Sequence, residues 1–571
     1  MDSRFSGILA TLSRRRQVLV LERLSSFFRS LSPSDKLLTL VLGGVLIVSC
    51  LVGIIALERT FLVEVPRHGG SLTEGVVGPP RFINPLLALT DSDRDLVALT
   101  YAGLMGVGPG GLHPVLAESY TISEDGKEYT FVLKEGLKFS DGTPVTAQDV
   151  VFTVTKAQDP SLKSPELANW ANIRAEAVDS RTVVFTLPKA YAPFLEDTTL
   201  GILPSHLWKN IPNEQFPFSE LMTNPVGAGP FQVTKITKDS DNMITDFEVK
   251  AFKQYALGKP YLNSMHFVFF VTTDELENAY AHGKVESAYG VPSDTSITAP
   301  YSRVFGIFLN PEQNKLFARI EVRKALSLAI NRTHITKDLL GGYATPLAGP
   351  VPPGAGVSEP VPLDGDNVAA AKKVLTDNGW AYDEVAGVWK NAKQKLTLGP
   401  LVITTSNVPE LKTLAASVQD DWQALGVATS LEFHEPSALP NEVIRPRKYE
   451  ALFFGMVIGR NQDLFAFWDS SQRQDPGLNI ALYANRSVDQ LLEKNRQESD
   501  ETKRLASLQK ISDEITSDYG ALFTHAPDFV YAVPQDLGGV VLPQITSPAD
   551  RFATVSSWHR RTEWVLPFFA R

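Results

Sequence analysis

Along residues 129–154 (YTFVLKEGLKFSDGTPVTAQDVVFTV) apolar side chains first alternate with polar ones and then recur at helical spacing. Tyr129, Phe131 and Leu133 occupy every second position, the period of a half-buried strand. A turn at 134–136 follows, and Leu137 and Phe139 restart the alternation. Ser140-Asp141-Gly142-Thr143-Pro144 is a second turn, with Gly142 free to take positive φ and Pro144 fixing the exit. Thr146 then opens a helix, Asp149 stands where a capping box needs an acid, and Val150, Val151 and Val154 form its apolar stripe. The helical pattern runs on to about residue 170. Similar reasoning predicts strands over 182–187, 231–236, 247–252, 265–271, 307–310, 451–459 and 529–533. Helices are predicted over 367–378, stopped by Gly379, and over 488–497 and 501–518. A strand at 401–405, a helix at 409–425 ended by Gly426 and a strand at 428–433 make an α/β unit.

Residues 37–57 carry no charge over 21 positions, long enough to cross a hydrocarbon core of about 30 Å. Seven Lys/Arg against three acids precede them, a net charge of +4 over residues 1–36, which leaves −14 for the rest of a chain whose total is −10. Positive charge on that flank places the N-terminus in the cytoplasm and the body outside. Three processing states follow: an uncleaved signal anchor, a lipoprotein modified at Cys50 within Ile47-Val48-Ser49-Cys50, and a cleaved secreted form. The residues after Cys50 stay apolar, which favours the anchor. Apolar residues among the arginines of 8–31 fit either an interfacial helix or a basic tail that only sets topology. A single cysteine in 571 residues excludes a disulfide framework. The length calls for two to four domains, and the acidic body argues against nucleic acid as a partner.

Several chemical motifs fail on context. Residues 106–111 spell GxGxxG but follow a helical run and contain Pro109, so they are read as a loop rather than a dinucleotide site. Asp91, Asp93 and Asp95 lack the glycine and glutamate of a calcium loop and are read as helix-capping acids. His434-Glu435 has no second histidine at helical spacing, and His206 has no ligand partner in sequence. No GxSxG, Walker A or nucleophile–base pair appears. The reading is therefore of a non-enzyme without metal or cofactor.

The stretch at 129–154 resembles the signature of the family 5 extracellular solute-binding proteins, the oligopeptide, dipeptide and nickel receptors of bacterial ABC importers. The matching features are Phe131, Gly136, Phe139, the Asp-Gly-Thr-Pro turn at 141–144 and Asp149-Val150. The resemblance continues through Asn84-Pro85, Pro114 to Ser119 (PVLAES), Leu203-Pro204-Ser205-His206-Leu207, Pro225 to Pro230 (PVGAGP), the Phe317 to Arg332 helix pattern and Val488-Asp489-Gln490-Leu491-Leu492. It covers about residues 67–570.

This resemblance implies a bilobal α/β periplasmic-binding-protein-like fold of the large three-subdomain type (type II), behind one N-terminal transmembrane helix. The expected layout is a tail at 1–36, the span at 37–57 and a linker at 58–68. Lobe 1 would be assembled from 69–110, 222–305 and 520–571, with an extra subdomain at 111–221 and lobe 2 at 306–519. It implies a monomer that closes on an oligopeptide or other small solute and docks on an ABC transporter permease. A non-peptide solute (sugar, metal complex or organic anion), an anchored hydrolase and a scaffold remain alternatives. Gly227, Gly229 and Pro230 would form a sharp, stiff crossing out of the extra subdomain. Asn310, Trp468, Asn479 and Tyr483 are candidate ligand contacts. In peptide receptors of the family an Asp before an Asp-Pro segment pairs with the ligand's α-ammonium. Here Arg460 takes that position and Leu464 replaces the proline. A cation suits a carboxylate or phosphate instead, or a plain salt bridge at the lobe surface, while Asp463 offers negative charge from a shifted position. Arg323 and Arg332 are read as surface or cap residues.

Overall fold

The structure is a computed structural model that describes residues 30–358 and 368–565. It separates into two units, residues 1–67 with 562–571, and residues 68–561. In the first, helix Pro33–Phe61 contains a 21-residue stretch, Pro33–Gly53, apolar enough to cross a membrane. The leucines and valines of residues 37–52 are exposed, and Cys50 is an exposed free thiol among them. The helix runs past both ends of the predicted 37–57 span. The expected linker at 58–68 is taken up by the end of this helix and by a strand, Val63–Arg67, that pairs with Arg561–Val565. The end at 558–564, expected to belong to lobe 1, is thus divided: Trp558 is buried in the core of the body, and Arg561–Val565 pairs with Val63–Arg67. The 8–31 amphipathic stretch falls almost wholly outside the described residues.

The body is bilobal. The lobe 1 sheet runs, in spatial order, through strands Phe231–Lys238, Ile244–Ala251, Ser264–Phe270, Ser71–Val77 and Ser287–Tyr289 to the second half of strand Leu522–Ala532. The first half of that same strand pairs with Arg303–Leu309 in the lobe 2 sheet, which continues through Ala451–Val457, Leu401–Ser406 and Thr429–His434. Strand Ser296–Pro300 pairs with lobe 1's half of Leu522–Ala532, and the chain then enters lobe 2 at Arg303. Two antiparallel segments, near 301–302 and 526–528, therefore carry the chain between sheets. Sheet pairing changes at these points, a few residues from the expected 305/306 and 519/520.

Lobe 2 shows why alternation matters. In Arg303–Leu309, Ile307 and Leu309 enter one apolar cluster while Val304 and Phe308 enter another on the opposite face. Ala451 and Phe453 against Leu452 and Met456 do the same in the neighbouring strand. Successive side chains point to opposite faces, so a sheet covered by helices on both sides needs apolar residues at every position. Helix Pro409–Leu425 covers one face and ends at Gly426, whose φ of 92° is the left-handed cap. Helices Arg486–Gln497 and Glu501–Ser517 cover the other.

The extra subdomain is a four-stranded antiparallel sheet in the order Ala117–Ile122, Glu128–Leu133, Thr182–Thr186, Arg174–Ala177. Tyr129, Phe131 and Leu133 face its core, as the alternation predicts. Its core also draws on Leu86, Leu87 and Ala228, outside the expected 111–221 limits. Leu137 and Phe139 are buried but make no strand, only one bridge between Lys138 and Pro144. Asp149 accepts from the Thr146 amide and hydroxyl, both at 2.8 Å, and from the Ser205 amide at 3.0 Å, so the capping acid also fixes the 203–207 segment. The helix stops at Ala157, well short of residue 170. Residues 105–114 form a hairpin rather than an open loop. Asp93 accepts from four backbone amides (Arg81, Phe82, Leu89 and Thr90), a capping role. Arg323 bonds the carbonyls of Phe317, Asp518 and Tyr519. Arg332, read as a surface or cap residue, is buried rather than at the surface; it bonds the Ser327 carbonyl at the end of helix Ile320–Ala329, and the carbonyls of Leu347 and Phe523.

Gly227 and Gly229 pack against the end of helix Asp91–Thr100. A Cβ on Gly227 would lie 2.1 Å from the Thr100 carbonyl oxygen, and one on Gly229 2.5 Å from the Thr100 carbonyl carbon. Close approach, rather than left-handed backbone, requires glycine here. With Pro230 they join the extra subdomain to the rest of lobe 1 and lie apart from the two segments that connect the lobes.

Lobe 1 is closed by one buried cation. The Arg551 guanidinium, fully buried, meets Asp95 at 2.7 and 2.8 Å and Glu74 at 2.9 and 3.0 Å. Glu74 also accepts from Tyr531 at 2.8 Å and from the Ser287 hydroxyl. Burial pushes the Asp95 carboxyl up to about 6 against the pull of Arg551. Removing the cation leaves two carboxylates without it in a dry core, at a cost of about 3–5 kcal/mol. Arg551→Met is therefore expected to lower the urea midpoint, followed by tryptophan fluorescence, by an amount matching that loss. An unchanged midpoint would show that the guanidinium does not hold lobe 1 together.

Candidate functional site

The parallel strands of both lobes end toward the two connecting segments. In lobe 1, Ser287–Tyr289 runs parallel to Ser71–Val77, and its carboxyl end meets Tyr531, near the crossing at 526–528. In lobe 2, Val457 at the carboxyl end of its strand lies opposite Arg303, where the chain has just entered. Loops leaving the carboxyl ends of such strands form ligand crevices, and here the two sets face one interface. The loop at 458–464 is the lobe 2 contribution.

Arg460 stands in that loop and ties three parts of the body together. Its guanidinium lies 3.2 Å from Glu196 of the extra subdomain and 2.9 Å from Asp550 of lobe 1, with a further bond of 3.2 Å to the Gln544 carbonyl. Its side chain is 14% exposed, so the pairs are largely shielded from water. The cation thus takes carboxylate partners, as its chemistry suggests, but they belong to the protein. Burial raises the Glu196 carboxyl, opposed by Arg460.

Asp463 lies beside a second interlobe contact. Arg496 approaches Asp463 at 3.0 Å and stacks over Phe465 at 4.5 Å and Tyr191 at 5.1 Å. The Tyr191 hydroxyl reaches Asp463 at 3.4 Å, and the Ala192 amide donates to the Arg496 carbonyl at 3.0 Å. Residues 191–197 of the extra subdomain thereby rest on lobe 2. Next to Glu196, Asp197 has a buried Oδ2 with no hydrogen-bond partner among the described residues. Burial, reinforced by Glu196, Glu166 and Asp463, pushes its carboxyl up to about 8.

The other candidate contacts are placed differently. Asn310 is fully buried, donates to the Arg447 carbonyl and accepts from the amides of Glu312 and Gln313. Trp468 is fully buried in a lobe 2 apolar cluster. Asn479, also fully buried, bonds the carbonyls of Asp469 and Tyr483 and the Tyr483 amide. Tyr483 donates to Asp518 at 2.6 Å and packs edge-on against Trp468. These four support the loops of lobe 2, whereas Arg460 and Asp463 reach the other lobe. Glu196, Asp197, Tyr191, Arg496 and Asp550 carry no motif in the sequence. Their only mark is a pair of adjacent acids after an aromatic segment, and the partners stand tens to hundreds of positions away.

Two lobes joined by two antiparallel segments, with loop clusters facing each other, define a two-lobed binding protein. The chain belongs to the bacterial extracellular solute-binding proteins: the family described as "Bacterial extracellular solute-binding proteins, family 5 Middle" matches residues 111–476. The oligopeptide-binding protein AppA of Bacillus subtilis is 25% identical over 496 residues, covering 83% of this chain and 89% of that protein. Among solved structures, the ABC transporter substrate-binding protein CtaP of Listeria monocytogenes superposes with a TM-score of 0.73 at 27% identity, over 86% of this chain and 99% of that one. The Bacillus subtilis AppA structure, in complex with a nonapeptide, shares the fold with a TM-score of 0.67 at 23% identity, covering 87% and 99%.

Two outcomes test this geometry. Arg460→Met removes both shielded interlobe ion pairs, together worth about 1–2 kcal/mol, a factor of about 5–30 in the ratio of closed to open forms. Spin labels can be placed at Phe218 and Val385, which are 86% and 100% exposed on opposite lobes, in a Cys50→Ser background. The ligand-free distance distribution should lengthen or broaden in the variant, and an unchanged distribution would remove Arg460 as a tie. For Asp197, the folded chain keeps a proton that the unfolded chain releases from about pH 4, up to about pH 8. Its contribution favours folding below that window and is lost as pH rises through it. The stability of wild type relative to Asp197→Asn should therefore fall between pH 5 and 9, and parallel pH curves would count against the raised carboxyl.

Proposed function

We propose that the chain is a membrane-anchored extracellular receptor that captures oligopeptides by closure between its lobes and delivers them to an ABC importer permease. The observation that carries this reading is the interface itself: strand carboxyl ends from both lobes meet at it, and only two antiparallel segments need bend for it to open. The relatives point the same way, since AppA is an oligopeptide-binding protein and its structure holds a nonapeptide. An extended peptide suits such an interface because its backbone can pair with strand edges while its side chains enter separate pockets. Binding rather than catalysis is the role, as it is for these relatives.

The apolar helix Pro33–Gly53 fits a signal anchor with the basic tail in the cytoplasm. Retaining it would hold the body beside the permease and raise the effective concentration of the pair. Lipidation at Cys50 would serve the same end.

Native mass spectrometry of the full-length chain in detergent, before and after mild denaturation, tests the ligand class. A heterogeneous set of releasable masses that sequence as short peptides is the expected result. One sharp non-peptide mass would overturn the peptide reading and identify the solute.

A further inference from the structure

Between the extra subdomain and lobe 2 lies a cavity of about 540 Å³, larger than the cavity of about 210 Å³ inside lobe 1. Its lining includes Tyr191, Asp197, Asp463, Phe465, Glu493 and Arg496. The charges in this lining are unequally satisfied. Asp463 is matched by Arg496, and that guanidinium is already held between Phe465 and Tyr191. Glu196, behind the cavity, is matched by Arg460. Asp197 has no such partner among the described residues: its buried Oδ2 accepts no hydrogen bond there, and no ion pair joins it to Lys189, which also lines the cavity. Glu493 adds an exposed carboxylate on the lobe 2 side. A buried carboxyl without a donor is costly, and an arriving cation that also donates hydrogen bonds removes that cost.

We propose that this cavity is a subsite for a cationic side chain of the solute, an ammonium or guanidinium, with Asp197 as its carboxylate partner and Glu493 guiding its entry. The inference rests on the peptide-receptor reading only for what carries the cation. A cavity of this volume has room for a lysine or arginine side chain. A cation seated there would contact both the extra subdomain and lobe 2, so it would favour the closed arrangement through differential affinity.

The test is calorimetric titration of the full-length protein in detergent with tetra-alanine, tetralysine, tetraglutamate and spermidine. The first three share an α-ammonium and differ in side-chain charge. Tetralysine should bind at least about tenfold more tightly than tetra-alanine, the equivalent of about 1.4 kcal/mol, and tetraglutamate more weakly than either. Asp197→Asn should bring the tetralysine to tetra-alanine ratio close to one, and Glu493→Gln, at the exposed rim, should reduce it partly. Should Asp197→Asn fail to fold, the wild type supplies a second readout. Near pH 7, tetralysine binding should release protons, seen as an enthalpy that varies with the buffer's ionisation heat, and tetra-alanine binding should not. Equal affinities, a preference for tetraglutamate, or proton release by both peptides would overturn the subsite and leave the peptide receptor standing. If no peptide binds, the peptide reading fails. Spermidine binding that Asp197→Asn abolishes would then uphold the cationic subsite, and its absence would end both.

Discussion

The pairing of Arg551 with Glu74 and Asp95 closes a lobe whose parts are far apart in sequence. Glu74 belongs to the first strand of the body, Asp95 to its first helix and Arg551 to its last helical segment. Bringing such distant segments together has an entropic cost that grows only slowly with separation, so a few strong contacts at the junction decide whether the lobe closes. The set is formally one cation against two carboxylates, with Tyr531 and Ser287 donating to Glu74. Tyr531 lies in the strand shared by the two sheets. The same buried node therefore fixes the N-terminal strand, the C-terminal segment and the lobe 1 half of the connecting strand.

The interlobe contact follows from this node. Asp550 precedes Arg551, and its carboxylate accepts the Thr546 and Ser547 amides at 2.8 and 2.9 Å. With Arg551 buried and Asp550 capping the segment, the remaining direction of the carboxylate is toward Arg460. Asp550 thus turns a fixed point of lobe 1 into a partner for a lobe 2 loop. Packed cores resist gradual deformation, so the closure proposed above would be concentrated where the chain crosses near 301–302 and 526–528, and in the ion pairs that those segments would allow to separate.

The parts of this architecture that depend on local pattern are legible in the sequence. The Tyr129–Phe131–Leu133 alternation, the Thr146–Asp149 cap and the stop at Gly426 each involve a few neighbouring residues, and each appears where its spacing puts it. The family resemblance supplied the bilobal plan. What local pattern does not reveal is which side chain meets which across the chain. Trp468, Asn479 and Tyr483 follow a recognisable segment and are polar or aromatic, yet they serve the interior of lobe 2. Arg332 reads as a surface or cap residue, and beside its local bond to the Ser327 carbonyl it is buried against a carbonyl 191 positions away. Glu196 and Asp197 have no motif at all, because their meaning depends on Arg460, Asp463 and Arg496, which only the closed fold brings near.

Charge placement at the interface then separates two roles. Arg460 is an arginine in a position where resemblance leads one to expect an acid, and it is answered by two carboxylates from the other lobe, so in the proposed mechanism it would tie the lobes without a charged group from the solute. Asp197 is its opposite: an acid beside an answered acid, itself unanswered among the described residues. If both charges were matched by the protein, closure would need no solute and selectivity would have no basis. If neither were matched, the closed form would carry two desolvated charges and would not persist. In the proposed mechanism, one satisfied set of ion pairs and one carboxyl without a partner among the described residues would divide the closing free energy between the protein's own contacts and what is bound.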